Sequence, residues 1–349
     1  MSCIIEVLFP KKKPMTQLTD IARQMVAPGK GILAADESPA SAGKRLAAVG
    51  MDNTPENRRA YRDLFLGTDG IGQYLSGVIL HDETLRQDAL DGTPFLTLLA
   101  DNGILPGIKV DEGLTPFPGF DGEELTRGLD TLPERCADYA AMGARFTKWR
   151  DVIHIGADLP TPELMHTNAI TLARYARIVQ DAGMVPMLEP EVLLTGNHSM
   201  ARAEEVTRDV LSTVFYQCRR YRVDLSAVIL KTSMVVPGDA SGEPMNHDAV
   251  AEATLRVLRD AVPAEVPGIV FLSGGQSAED ACRNLAAINR TAQAEGGAPW
   301  PLTFSFARAL QGPALHIWRG EDAKVAEARK TFLTTLRRNT AALEGADCA

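Results

Sequence analysis

Eight short apolar runs, each ending in polar groups and spaced by helical stretches, constrain this chain more than any other feature. They are GILAADES (31–38), SGVILHDET (76–84), LPGIKVDEG (105–113) and GARFTKWRD (143–151), followed by VPMLEPEVL (185–193), Ala227 through Lys231, PGIVFLSGGQS (267–277) and WPLTFSFARALQ (300–311). Runs this short and this continuously apolar fill strands buried on both faces, as in parallel sheets. Helical spacing marks Thr16–Ala27 ahead of the first run. It returns at Pro55–Leu66, Pro94–Leu99, Leu129–Met142, Pro162–Ala182, Ala201–Tyr221, His247–Ala261, Ala278–Ala292 and Asp322–Leu343. The alternation predicts an α/β fold, a (β/α)8 TIM barrel in a single domain spanning 1–349. Its core is expected at about 29–320, with a short N-terminal arm and a C-terminal helix and tail. A doubly wound sheet is disfavoured by the strand count and by the lack of a GxGxxG turn after the first strand.

Charge and cysteine usage narrow the function. A net charge of −9 argues against a nucleic-acid partner and supplies no basic stripe for a membrane surface. No window approaches 18 apolar residues, so no membrane span is expected. Any anionic ligand must then find its positive field locally. Five scattered cysteines without a CxxC suit a reducing cytoplasm and argue against disulfides or a zinc site. Six dispersed histidines form no HxH or HExxH pair, so neither a metal nor a cofactor is predicted. At the N-terminus an apolar run precedes Lys11–Lys13, the reverse of a signal peptide's order.

In a barrel of this kind functional groups gather at the carboxyl ends of the strands. Here those ends carry Asp36, Lys109, Lys148, Glu189, Lys231, Ser273 and Arg308. Strand alternation puts Lys148 and Arg150 on one face, and Glu189 and Glu191 on another. Lys231 shares its face with Ala227 and Ile229 and points inward. A buried lysine in a dry, cation-rich place gives up its proton and becomes the nucleophile that an imine requires. The carboxylates can move protons and balance the cations. LSGG (272–275) offers consecutive amides before a helix as a phosphate cradle, and Arg308 can grip the same anion. A second cation group, Lys44 and Arg45 beside Ser38 and Ser41, comes after the first strand without matching a P-loop. Two anion sites flanking an imine-forming lysine suggest a sugar with phosphate at both ends.

GKGILAADES (29–38), NRRAYR (57–62), GIKVDEG (107–113), LDTLPERCADYAAMGARFTKWR (129–150), VPMLEPE (185–191), FLSGGQS (271–277) and FSFARALQ (304–311) closely resemble class I fructose-1,6-bisphosphate aldolase, in order across residues 14 to 340. The resemblance implies reversible, metal-independent cleavage of fructose 1,6-bisphosphate to dihydroxyacetone phosphate and glyceraldehyde 3-phosphate through a lysine Schiff base. It implies Lys231 as the nucleophile and Glu189 in carbinolamine dehydration and proton transfer. Asp36 would accept the C4 hydroxyl proton and Lys148 would assist imine formation, with Lys109, Arg150 and Glu191 around them. Ser273, Gly274 and Arg308 match the 1-phosphate end and Ser38 and Ser41 the 6-phosphate end, and Gly275, Ser305, Lys44 and Arg45 are further candidates for substrate binding. It further implies a cytoplasmic homo-oligomer, commonly a tetramer. A related aldolase acting on sedoheptulose 1,7-bisphosphate is the nearest rival, and a non-catalytic scaffold barrel is disfavoured by the cost of so many buried charges.

The chain departs from the family in three places. Thr232, not proline, comes directly after Lys231, and SFAR replaces the usual tyrosine and glycine before the arginine. Many relatives end in a tyrosine that reaches the site, whereas the last tyrosine here is Tyr221. Cys348, close to the terminus, is expected to be a disordered bystander.

Overall fold

A computed structural model of the chain describes residues 15–348; the apolar run and lysines of the N-terminal arm lie outside them. The order is α1 (Met15–Met25), β1 (Gly31–Ala35), α2 (Pro39–Ala47), α3 (Pro55–Leu66), β2 (Leu75–Leu80), α4 (Asp82–Leu85), α5 (Phe95–Asp101) and β3 (Leu105–Lys109). Next come β4 (Leu114–Pro116), β5 (Glu124–Thr126), α6 (Leu132–Met142), β6 (Phe146–Ile153), α7 (Pro162–Asp181), β7 (Val185–Val192), α8 (Met200–Arg220) and β8 (Ile229–Thr232). The chain finishes with α9 (His247–Ala261), β9 (Gly268–Phe271), α10 (Ala278–Ala294), β10 (Leu302–Phe306), α11 (Arg308–Trp318) and α12 (Val325–Ala341). Several of the longer helices begin where the sequence supplies a cap. Thr54, Thr161, Ser199, Asn246 and Ser277 each accept a hydrogen bond from an amide of the first turn.

Eight strands close into a parallel barrel in the order β1-β10-β9-β8-β7-β6-β3-β2. Their outward residues pack under the helices, and their inward residues divide by height. Low in the barrel, Ile32, Ala34, Ile79, Phe146, Val185, Met187, Ala227, Ile229 and Val270 form one apolar cluster with Leu18, Ile21, Ala22, Met25 and Val26 of α1. Helix α1 therefore closes the N-terminal end. The fit depends on missing side chains: a Cβ on Gly107 would lie 2.2 Å from the Phe146 ring, and one on Gly268 would lie 2.6 Å from Val26.

The structure departs from or adds to the reading of the sequence in several places. The eighth strand stops at Phe306, and Arg308 opens a helix instead of lying in a strand. That helix contains Gly312 and Pro313, and α2 contains Gly43, so local rules hide both. The Gly/Pro-rich stretch after the third strand holds an antiparallel ribbon, β4 with β5, where Phe117 and Phe120 stack at 4.3 Å. Cys348 is no bystander: it forms a disulfide with Cys282 of α10. The residues are 66 apart in sequence, a distance across which spacing gives no hint.

Candidate active site

A cavity of about 980 Å³ opens at the carboxyl end of the barrel. Its floor is a line of alternating charges. Lys231 Nζ lies 2.9 Å from Glu189 Oε1, and Lys148 Nζ lies 3.2 Å from Glu189 Oε2. Lys148 Nζ also meets Asp36 Oδ2 at 2.7 Å and Asp111 Oδ2 at 3.8 Å, and Lys109 pairs with Asp111 Oδ1 at 2.5 Å. Strand pairing builds this line: Lys109 and Lys148 are register partners on β3 and β6, as are Arg150 and Glu189 on β6 and β7. Arg150 donates to Glu191.

The two buried lysines are not equivalent. Burial disfavours the ammonium of Lys148, but Asp36, Glu189 and Asp111 outweigh it and hold the group above the ordinary lysine range. Lys148 is thus a fixed cation. Burial likewise opposes the Asp36 carboxylate, yet Lys148, Lys231 and Lys109 hold it well below the usual range, so it stays ionised. Lys231 touches one carboxylate, Glu189, which stands between it and Lys148. Its strand position leaves the amine at the cavity surface with a proton acceptor at hand.

The rim offers two places for anions, and they differ. Ser273, Gly274, Gly275, Ser305 and Arg308 line one side. Gly274 and Gly275 both have positive φ, +54° and +94°, which turns the loop between β9 and α10 and which side-chain-bearing residues rarely adopt. Among the described cations that line the cavity, Arg308 is the one with no carboxylate partner. Ser305 is buried and its hydroxyl has no hydrogen-bond partner among the described residues. On the arc after β1, the strand next to β10, Ser38 caps α2 and its hydroxyl faces that of Ser41 at 3.2 Å. Arg45 lines this side too, but it is tied to Glu37 at 3.1 Å. Lys44 does not join them; it is exposed on α2 away from the cavity wall. The helical repeat turns adjacent residues about 100° apart, so Lys44 and Arg45 cannot both face the mouth.

Several lining groups escape a reading of strand ends. Glu37 is buried beneath the rim, where Arg62, Arg45 and the Tyr61 hydroxyl all meet it. NRRAYR supplied Tyr61 and Arg62, but nothing in their spacing names Glu37 as the partner. His81 lies just past β2, and Arg135 and Tyr139 reach in from α6. The C-terminal residues are elsewhere. Leu343 and Glu344 line a separate groove of about 490 Å³ with Val26, Gly29, Lys30, Pro267 and Pro301, at the starts of β1, β9 and β10. The tail therefore lies at the opposite end of the barrel from Lys231.

Fold and cavity together define a (β/α)8-barrel enzyme with a charged mouth built on buried lysines. The sequence model of the family described as fructose-bisphosphate aldolase class-I, glycolytic, matches residues 17–348. A probable fructose-bisphosphate aldolase class 1 of Xanthomonas campestris pv. campestris is 48% identical over 302 residues, covering 86% of this chain and 89% of the relative. The cytosolic fructose-bisphosphate aldolase 6 of Arabidopsis thaliana is 48% identical over 319 residues, 91% of this chain and 88% of its own. A crystal structure of Plasmodium falciparum fructose-bisphosphate aldolase, in complex with TRAP and a small-molecule inhibitor, superposes with a TM-score of 0.93. It shares 45% identity and covers 97% of this chain and 98% of its own. This chain belongs to the class I fructose-bisphosphate aldolase family, a family of lyases.

Proposed function

We propose that Lys231 carries this chain's reaction, the reversible cleavage of fructose 1,6-bisphosphate into dihydroxyacetone phosphate and glyceraldehyde 3-phosphate. The observation behind the assignment is the sharing of Glu189: one oxygen at 2.9 Å from Lys231, the other at 3.2 Å from a lysine held cationic. A neutral Lys231 amine attacks the C2 carbonyl to give a carbinolamine. Glu189 relays the proton with which water leaves, forming the iminium. Asp36 accepts the C4 hydroxyl proton as the C3–C4 bond breaks, and its electron pair passes into the iminium to leave an enamine and a free aldehyde. Proton return to C3 of the enamine also falls to Glu189, whose Oε1 stands 2.9 Å from Lys231 Nζ. Lys148 offsets charge on both carboxylates throughout.

Arg308 and the Ser273–Gly275 loop are assigned the 1-phosphate, because this cation has no competing carboxylate among the described residues. Ser38 and Ser41 at the start of α2 are assigned the 6-phosphate. A cytoplasmic location and assembly as a homo-tetramer belong to the same proposal. They rest on the cytosolic names of the Arabidopsis relatives and on family habit. Reduction with borohydride in the presence of dihydroxyacetone phosphate, followed by peptide mapping, is expected to label Lys231 alone. Label on Lys148, or none, would overturn the assignment.

A further inference from the structure

Seven of the eight barrel strands bring a residue of the proposed machinery to the mouth, and β2 brings none of them. At the carboxyl end of β2 stands His81, which lines the cavity and also caps the four-residue helix α4. The backbone amide of Glu83 donates to His81 Nδ1 at 3.2 Å. An amide can only donate, so Nδ1 must be the unprotonated nitrogen, and in the neutral ring the proton sits on Nε2. The ring is kept neutral: burial lowers its pKa, the charges of Lys109 and Arg62 add to this, and Glu83 and Asp82 only partly oppose it. His81 thus presents a fixed, uncharged N–H donor beside the cavity.

The barrel order says which part of a substrate would meet it. In the ring, β2 stands four strands from β8 in either direction, so His81 lies across the mouth from Lys231. A ketose joined at C2 to Lys231 with its 1-phosphate against the loops after β9 and β10 extends its other arm toward the far arc, where β2 and β3 stand opposite β8 and β9. We infer that His81 is a substrate-contacting residue that donates from Nε2 to an oxygen of the aldehyde half, C4 to C6, of the bound sugar. The inference rests on the reading of Lys231 and of the phosphate ends given above. A neutral donor suits a hydroxyl or carbonyl oxygen, leaving the phosphate to α2.

Two variants separate this role from capping. His81→Asn keeps an acceptor near the Nδ1 position, and asparagine is a good helix cap, but it lacks the distal N–H. His81→Gln carries an amide N–H out to the Nε2 position. His81→Asn is expected to lower kcat/KM for fructose 1,6-bisphosphate by about five- to tenfold and to raise KM for glyceraldehyde 3-phosphate in condensation, with His81→Gln recovering most of the loss. Proton exchange on dihydroxyacetone phosphate alone, which never involves the aldehyde half, should stay at the parent rate. Unchanged cleavage in His81→Asn, or an equal fall in exchange, would overturn the inference. Failure of borohydride to label Lys231 would instead strike the reading on which it rests.

Discussion

The two ends of the barrel interior are built from the same alternating strand positions and have opposite characters. At the N-terminal end Phe146, Met187, Ile229 and Val270 meet α1 in a dry apolar plug whose members are at most 7% exposed. Two residues further along β6, β7 and β8 stand Lys148, Glu189 and Lys231. The lower half is filled by shape, with Phe146 seated over Gly107 and Gly77. The upper half is filled by charge and left open. Burying ion pairs contributes little to stability beside apolar packing, because desolvation consumes most of the attraction. The difference therefore separates what holds the barrel together from what it is used for.

Substitutions at the two ends should split stability from activity. Lys231→Met is expected to lower cleavage by about four orders of magnitude or more, as loss of a covalent nucleophile does, roughly 5 kcal/mol or more in the barrier. Its melting temperature should stay within a few degrees of the parent, because Glu189 keeps Lys148 as a partner. A collapse of melting temperature alongside activity would make the charged line structural. At the other end Met25→Ala opens a cavity in the plug and should cost about 2–5 kcal/mol of unfolding free energy. Its kcat/KM should remain within about threefold of the parent, and a loss comparable to that of Lys231→Met would show that plug and mouth are coupled.

The smallest effect tests a charge that belongs to neither end. Asp151 is buried on β6, its Oδ1 receives the Trp149 indole N–H at 3.0 Å, and its Oδ2 has no donor among the described residues. Burial pushes its carboxyl up to about 7 against the contrary pull of Thr126 and Trp149. Between the ordinary value of 3.8 and about 7 the folded chain holds a proton that the unfolded chain has released, so stability falls as pH rises through that window. Asp151→Asn should therefore melt higher than the parent near pH 8, by about 2–4 °C for each kcal/mol relieved, and the gap should close toward pH 4. An advantage that does not change with pH would assign the effect to packing instead of ionisation.

Much of the fold and site was legible in the order of residues. Periodicity of two along the strands placed Lys148, Glu189 and Lys231 on inward faces, since a strand's alternation is a local property of the backbone. The spacing of Leu18, Ile21, Ala22, Met25 and Val26 marked a buried helix face. The same local rules failed at α2 and α11, where glycine and proline sit inside helices sustained by the contacts around them. They also gave Lys44 and Arg45 equal standing, and only the turn of α2 chose between them.

What only the tertiary structure decided is which distant groups meet. Glu37 with Arg62, Cys282 with Cys348, and the tail with the N-terminal end of the barrel are pairings between residues whose separation in sequence carries no sign of contact. His81 belongs with them. As a letter it is one dispersed histidine among six; the Glu83 amide two residues on sets its tautomer, but its place across the ring from β8 exists only when β2 closes against β1 and β3. Local periodicity fixes the face on which a side chain stands, whereas barrel closure fixes what stands opposite, because closure is set by strands far apart in the chain.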